Sequence, residues 1–191
     1  MLISEYFSAF VETFEHVTLC NPPGTAYFLL GTEILEMVRS YLHDSEYFLH
    51  HDDIVNHYAS LVYAHGWFIA GSYLGLYQIS ASNFTWENIL FPGNYTNKLV
   101  EKTNRYQEML SNAIASVSQF PAHGSPLAHA AQYCLEVAKK TLLDGNASLA
   151  NQEPVLALGY YCYGYGWLDT AVRAGLLQIH CNFYLFTTEC Q

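Results

Sequence analysis

The chain has 191 residues, about half of them apolar, and its 7 basic against 17 acidic residues leave a formal net charge of −10. So acidic a body repels phosphate backbones and anionic headgroups. Its nearest basic groupings, Lys98/Lys102/Arg105 and Lys139–Lys140, are too small to form the basic stripe of a nucleic-acid binder. Neither nucleic acid nor membrane is therefore expected as a partner.

Only 13% of the residues are charged, against a usual share near ~25%. Tyrosine makes up the difference, with 16 copies beside 11 phenylalanines and 3 tryptophans. It suits helix packing and protein interfaces alike, because the ring can be buried while the hydroxyl stays wet or paired.

Met1-Leu2-Ile3-Ser4-Glu5 offers no basic n-region and no unbroken apolar run, so no signal peptide is expected. The sequons at Asn83, Asn94 and Asn146 then read as chance occurrences. The five cysteines (Cys20, Cys134, Cys162, Cys181 and Cys190) are an odd number with no C-x-x-C spacing. That argues against a zinc ribbon or a closed disulfide framework and for reduced thiols in a cytoplasmic protein.

Ile3, Phe7, Phe10, Phe14 and Val17 recur at alternating four–three spacing, one stripe of a first helix ended by Asn21-Pro22-Pro23-Gly24. Thr25 stands at the N-cap of a second helix, which carries Leu30, Ile34, Val38, Tyr41 and Leu42 and runs to about Asp44. A third helix opens on Asp52-Asp53, as the helix dipole favours, and runs to about Ile79. Its window Ala59–Ile79 is the most apolar of the chain but holds His65, so it reads as a bundle helix rather than a membrane span. A connector over residues 81–97 contains Pro92-Gly93 and an apolar knot of Trp86, Ile89, Leu90 and Phe91, expected to dock on the bundle.

The chain then repeats itself at an offset of 100. Val55, Tyr63, Gly66, Trp67, Gly75, Leu76, Gln78 and Ile79 return as Val155, Tyr163, Gly166, Trp167, Gly175, Leu176, Gln178 and Ile179. Tyr106, Leu110, Ile114 and Val117 repeat the first stripe; Ser125-Pro126 is an N-cap with proline at the first helical position. Gly145-Asn146 reads as the stop of the second helix, Glu153-Pro154 as the start of the third. Asp169 and Arg173 there are costly at a bilayer centre, which again argues against a span. Residues 181–191 form an apolar tail through Phe183, Tyr184, Leu185 and Phe186. The expectation is an all-α fold: two tandem three-helix up-down-up bundles, residues 1–80 and 98–180, packed as a pseudo-dimer.

Tyr163-Gly164-Tyr165-Gly166-Trp167-Leu168-Asp169 followed by Arg173-Ala174-Gly175-Leu176 resembles the third-helix signature of the archaeal "domain of unknown function 357" family, a short three-helix bundle. The first copy keeps Gly66-Trp67 and Gly75-Leu76 but has Ile69 and Tyr73 in place of the acid and the arginine. The resemblance implies the fold and no activity.

The signature makes physical sense as packing. Gly66, Gly71, Gly75, Gly166 and Gly175 would let another helix approach closely, with Trp67 and Trp167 filling the space beside the contact. Asp169 and Arg173 sit at the i,i+4 spacing of an ion pair. Alternatively, a ligand or partner surface could be built around that pair.

Chemistry has few other footholds. His50-His51-Asp52-Asp53 and His57 could share a divalent ion through His51, Asp53 and His57, but a polar turn with capping acids explains them as well. No metal site and no cofactor is expected. Glu36 and Glu136 recur on the second helices and are expected at the surface. Arg173 and His180, spaced R-x6-H, resemble the motif of the HEPN ribonucleases, yet the acidic surface is wrong for RNA. What both copies keep is glycine, tryptophan and aliphatic residues, so the expected function is a non-catalytic scaffold or protein-interaction module, by partner binding or self-association. The alternative is a single-site enzyme or small-ligand binder using one copy only.

Overall fold

The computed structural model describes residues 1–79, 85–91 and 96–187. Asn83, Pro92-Gly93, Asn94 and Cys190, singled out above, lie outside the described residues. The first copy contains α1 (Ile3–Glu15), β1 (Thr18–Leu19), α2 (Ala26–His50), α3 (Ile54–Tyr73) and β2 (Tyr77–Gln78). The second contains α4 (Thr96–Ala115), β3 (Val117–Gln119), α5 (Pro126–Ala150), α6 (Pro154–Arg173) and β4 (Leu177–Ile179), followed by a 3-10 turn at Phe183–Leu185. The fold is two tandem three-helix bundles packed as a pseudo-dimer, as the repeat predicts. Among the described residues no helix is long and apolar enough to cross a membrane.

Each element follows from local chemistry. The buried stripe of α1 is Ile3, Tyr6, Phe10 and Phe14. The Thr25 hydroxyl accepts a hydrogen bond from the Phe28 N–H (3.2 Å) and that of Ser125 from the Ala128 N–H (3.1 Å), satisfying one orphan donor at each second-helix start. α3 and α6 are buried nearly all round and form the centre of the molecule.

The sequence misplaces several helix ends. α1 stops at Glu15, and the chain past Val17 turns extended. α2 and α5 continue past Asp44 and Gly145 to His50 and Ala150. Gly145 is no stop: a Cβ there would meet the ring of Tyr161, whose Cδ1 is 2.8 Å away, so the glycine is a seat for that ring.

α3 ends at Tyr73 rather than near Ile79, because Gly75 (φ +71) takes the left-handed conformation. The Gly75 N–H then bonds the Ser72 carbonyl (2.9 Å) and the Leu76 N–H that of Gly71 (3.2 Å), a Schellman motif. Gly175 (φ +68) repeats it, with bonds of 3.0 and 2.9 Å. Gly75 and Gly175 are therefore turn glycines, not helix-contact residues. The chain they release runs antiparallel to the segment after the first helix, Thr18 opposite Gln78 and Val117 opposite Ile179, forming two short ladders that no alternating pattern announced.

Gly66 and Gly166 are the close-approach pair. A Cβ on Gly66 would run into the Tyr163 carbonyl oxygen and lie 3.1 Å from the Gly166 Cα; one on Gly166 would lie 2.5 Å from the Tyr63 carbonyl oxygen. Both obstacles are backbone, which cannot rotate away. Trp67 and Trp167 are buried alongside. The connector's knot docks through Trp86 and Ile89, with Leu90 exposed. Gly159 leaves room for the Trp86 ring, whose Cε3 is 2.6 Å from where its Cβ would be. Among the described tail residues Phe186 alone is buried, while Phe183 and Tyr184 face solvent.

Two stability outcomes follow. Gly66→Leu or Gly166→Leu should cost at least ~1–3 kcal/mol in chemical denaturation by overpacking; unchanged midpoints in both would refute the contact. Gln152 holds a left-handed φ of +64 at the end of α5. Gln152→Gly should raise the urea midpoint by a stabilisation of roughly 0.5–1 kcal/mol.

Candidate functional site

The two copies bridge each other beyond the glycine contact, at positions related by the repeat. At the end of α6, Arg173 pairs not with Asp169 but with Glu33 on α2 of the other copy, its Nε and Nη2 both 2.9 Å from Glu33 Oε2. The i,i+4 pair read from the sequence is thus replaced by an inter-copy pair. The equivalent positions on the other side are Tyr73, at the end of α3, and Tyr133 on α5. Their rings stack with centroids 4.3 Å apart, and Trp167 lies 5.5 and 5.8 Å from them. Both tyrosines are 44% exposed, so this bridge is also an aromatic patch on the surface.

Asp169 turns inward instead. It is 2% exposed and lines a cavity of about 400 Å³ between the copies. α2 supplies Tyr41 to the cavity, α3 Tyr63, α4 Tyr106, α6 Tyr165, and the tail Phe186. Tyr41 meets Tyr63 edge-on at 4.6 Å, and Tyr63 meets Tyr165 at 5.8 Å. The Tyr165 hydroxyl donates to the Leu185 carbonyl and so holds the tail over one wall.

The Asp169 Oδ2 accepts from the Tyr63 hydroxyl and from Thr187 Oγ1 (3.2 Å), while Oδ1, equally buried, has no partner among the described residues. Burial raises the carboxyl to about 7, against the pull of the Tyr63 and Thr187 hydrogen bonds. Burial likewise pushes Tyr41 up to about 12 and Tyr63 well above the usual phenol range, so both stay protonated donors.

The repeat-related place in the first copy is closed. Ile69 stands for Asp169, His65 for Tyr165, Tyr6 for Tyr106 and Trp86 for Phe186. There the Tyr6 hydroxyl meets His65 Nδ1 at 2.7 Å, and Trp86 packs on Tyr160 and Tyr163 at 4.9 and 5.6 Å. Sequence reasoning named Asp169 but missed the tyrosines around it, together with Glu33 and Tyr133. Its available signal was the acid itself, Asp169 standing where the first copy has Ile69, two residues beyond the repeated Gly-Trp pair.

The other candidates disperse. His51 Nδ1 bonds the Tyr47 carbonyl (2.8 Å) at the surface. Asp53 caps α3 through the Asn56 N–H (3.2 Å) and pairs with Lys98 Nζ (2.6 Å), a further link between the copies. His57 is buried, its Nδ1 2.8 Å from Ser45 Oγ. The three do not converge, and no group of three metal-ligating side chains occurs among the described residues. His180 Nε2 meets Ser118 Oγ at 2.5 Å while Arg173 is held by Glu33, so the R-x6-H pair is engaged with two different partners. Glu36 and Glu136 are exposed. Of the cysteines, Cys134 and Cys162 are buried and Cys20 and Cys181 exposed, all four free.

The raised Asp169 carboxyl ties stability to pH. Between its ordinary value of 3.8 and about 7 the folded chain holds a proton that the unfolded chain has lost, so stability falls as pH rises through that window. Buried His65, lowered by burial to about 3, acts in the opposite sense: its contribution is lost as pH falls below 6.5. Comparing variant with wild type at each pH isolates the carboxyl. Asp169→Asn should be nearly neutral at pH 4 and below and increasingly stabilising above it, reaching about 3–4 kcal/mol at pH 8 in urea denaturation. A difference independent of pH would show that Asp169 does not titrate there.

No curated protein and no solved structure matches the chain. One family does, described as "Protein of unknown function (DUF357)": it matches residues 5–77, from α1 into β2, and again residues 105–177, from α4 into β4. These two tandem matches take in most of the chain, which belongs to the DUF357 family as a duplicate of its three-helix unit.

Proposed function

We propose that the protein is a non-catalytic, cytoplasmic interaction module whose two fused bundles present one rigid surface to a protein partner. The carrying observation is the Tyr73–Tyr133 stack, two tyrosines from different copies held ring to ring at 4.3 Å and each 44% exposed. An aromatic pair supported from below by Trp167 resembles the anchored, low-entropy side chains that dominate protein interfaces. With a net charge of −10 around it, the patch favours a basic partner, and an arginine guanidinium would stack on the paired rings. The residues that both copies share support this reading in another way: Gly66, Gly166, Trp67 and Trp167 are spent on joining the bundles, which leaves the differing positions to carry recognition.

The test compares wild type with Tyr73→Ser/Tyr133→Ser. Chemical cross-linking in native lysate should give wild type a saturable, stoichiometric basic protein partner, with light scattering at rising concentration reporting whether a second, equally acidic copy takes the patch instead. The double variant should lose about tenfold in affinity, ~1.4 kcal/mol. Its stability should fall by no more than about 1 kcal/mol, the worth of one exposed stack. A wild-type protein that stays monomeric and partnerless, or a variant that binds equally well, would overturn the proposal.

A further inference from the structure

The cavity at Asp169 has nothing to do with the tyrosine patch and poses its own chemical question. A carboxyl group with 2% exposure has one oxygen satisfied twice and the other without a partner among the described residues. Leaving a buried polar atom unpaired is unfavourable whichever state it is in: an ionised Oδ1 lacks a donor, and a protonated one lacks an acceptor. The unpaired oxygen borders a space of about 400 Å³, large enough for a small organic molecule. A divalent metal is a poor occupant, since the described residues assemble no third ligand. An anion would meet a buried carboxylate.

We propose that this cavity binds a small organic ammonium ion, its N–H groups donating to Asp169 Oδ1 and its hydrocarbon part lying against the rings of Tyr41, Tyr63, Tyr106 and Tyr165. Aromatic faces attract cations through their quadrupoles, and a desolvated carboxylate adds a directional acceptor at the inner end. The lining charges agree. Asp44, exposed on α2 at the rim, adds a second negative group, and Lys102 on α4 is the one basic side chain among the lining residues. Arg173, on the same helix as Asp169, is already committed to Glu33. Tyr184 of the tail also faces the cavity, and burial raises the hydroxyls of Tyr41, Tyr63, Tyr106 and Tyr165, so those four stay neutral donors.

The site exists in one copy only. At its repeat-related place the acid is Ile69, and Trp86 occupies the corresponding groove. One ligand per chain is therefore the expected stoichiometry.

Calorimetric titration of the full chain with benzylamine and n-butylamine tests this, with benzyl alcohol, n-butanol and benzoate as matched neutral and anionic probes. At pH 8 an amine should bind one to one, about tenfold or more tighter than its alcohol, with benzoate not binding. Because a charged Asp169 is required and its carboxyl titrates near 7, amine affinity should fall about tenfold between pH 8 and pH 6, with proton release on binding at the lower pH. Asp169→Asn should weaken amine binding about tenfold and abolish the difference between amine and alcohol. Met109→Trp fills the cavity from α4 and leaves the carboxyl in place; it should abolish binding while keeping the helical circular dichroism, and it decides the matter should Asp169→Asn fail to fold. Equal binding of amine and alcohol, preference for benzoate, binding unaffected by either variant, or no heat with either amine up to about 10 mM would each overturn the proposal. Partner binding through Tyr73 and Tyr133 would survive any of these results.

Discussion

Everything in this molecule is arranged about the place where α3 crosses α6 with no side chain between them. Gly66 faces the Tyr163 carbonyl and Gly166 the Tyr63 carbonyl, so the contact is reciprocal and fixes the two central helices at the closest approach that backbones allow. Glycine within a helix costs up to ~1 kcal/mol against alanine. Here that cost is offset by dense packing along both helices, where Trp67, Phe68, Trp167 and Leu168 are fully or nearly buried. With the crossing fixed, the ends of α3 and α6 have no choice of neighbour. Each reaches the second helix of the opposite copy, where residue 73 meets residue 133 and residue 173 meets residue 33.

The same pair of positions therefore carries an aromatic stack on one side and an ion pair on the other. Both solutions bridge the copies, but they differ in what they offer to solvent. The Arg173–Glu33 pair is self-contained, its charges mutually satisfied. The Tyr73–Tyr133 stack leaves ring surface uncovered. A similar divergence runs through the interior: the first copy closes its groove with Trp86 against Tyr160 and Tyr163, and the second leaves space beside Phe186.

Helix content and the tandem organisation were legible in the sequence because they rest on the 3-4 apolar spacing of α1, the caps Thr25 and Ser125, and the repeat itself. Helix ends were less so. Gly145 looks like a stop until the ring of Tyr161 is seen lying on it, and Gly75 looks like helix interior until its positive φ ends the helix. Both readings hinge on residues far away or on a conformation that glycine permits without requiring. The site was harder still. Asp169 and Arg173 share a helix at ideal ion-pair spacing, but each finds its partner across the copy boundary, in Tyr63 and Glu33 respectively. Local spacing cannot compete with contacts set by how two bundles dock.

Fusion of the copies is what makes the buried acid tolerable. In a symmetric homodimer of one such unit, an aspartate at this position would appear twice, once on each central helix. Two carboxyl groups would then have to be desolvated in the same core, at several kcal/mol each when ionised and unpaired. In the fused chain Ile69 takes the position in one half, and only one carboxyl, Asp169, is taken out of water. The same holds at the helix ends, where a homodimer would have to repeat either the stack or the ion pair. Covalent linkage keeps the glycine crossing, which needs identical residues on both sides, and releases the neighbouring positions from that identity. The crossing stays symmetric while the cavity and the tyrosine patch do not, and a single asymmetric site per molecule is the physical consequence.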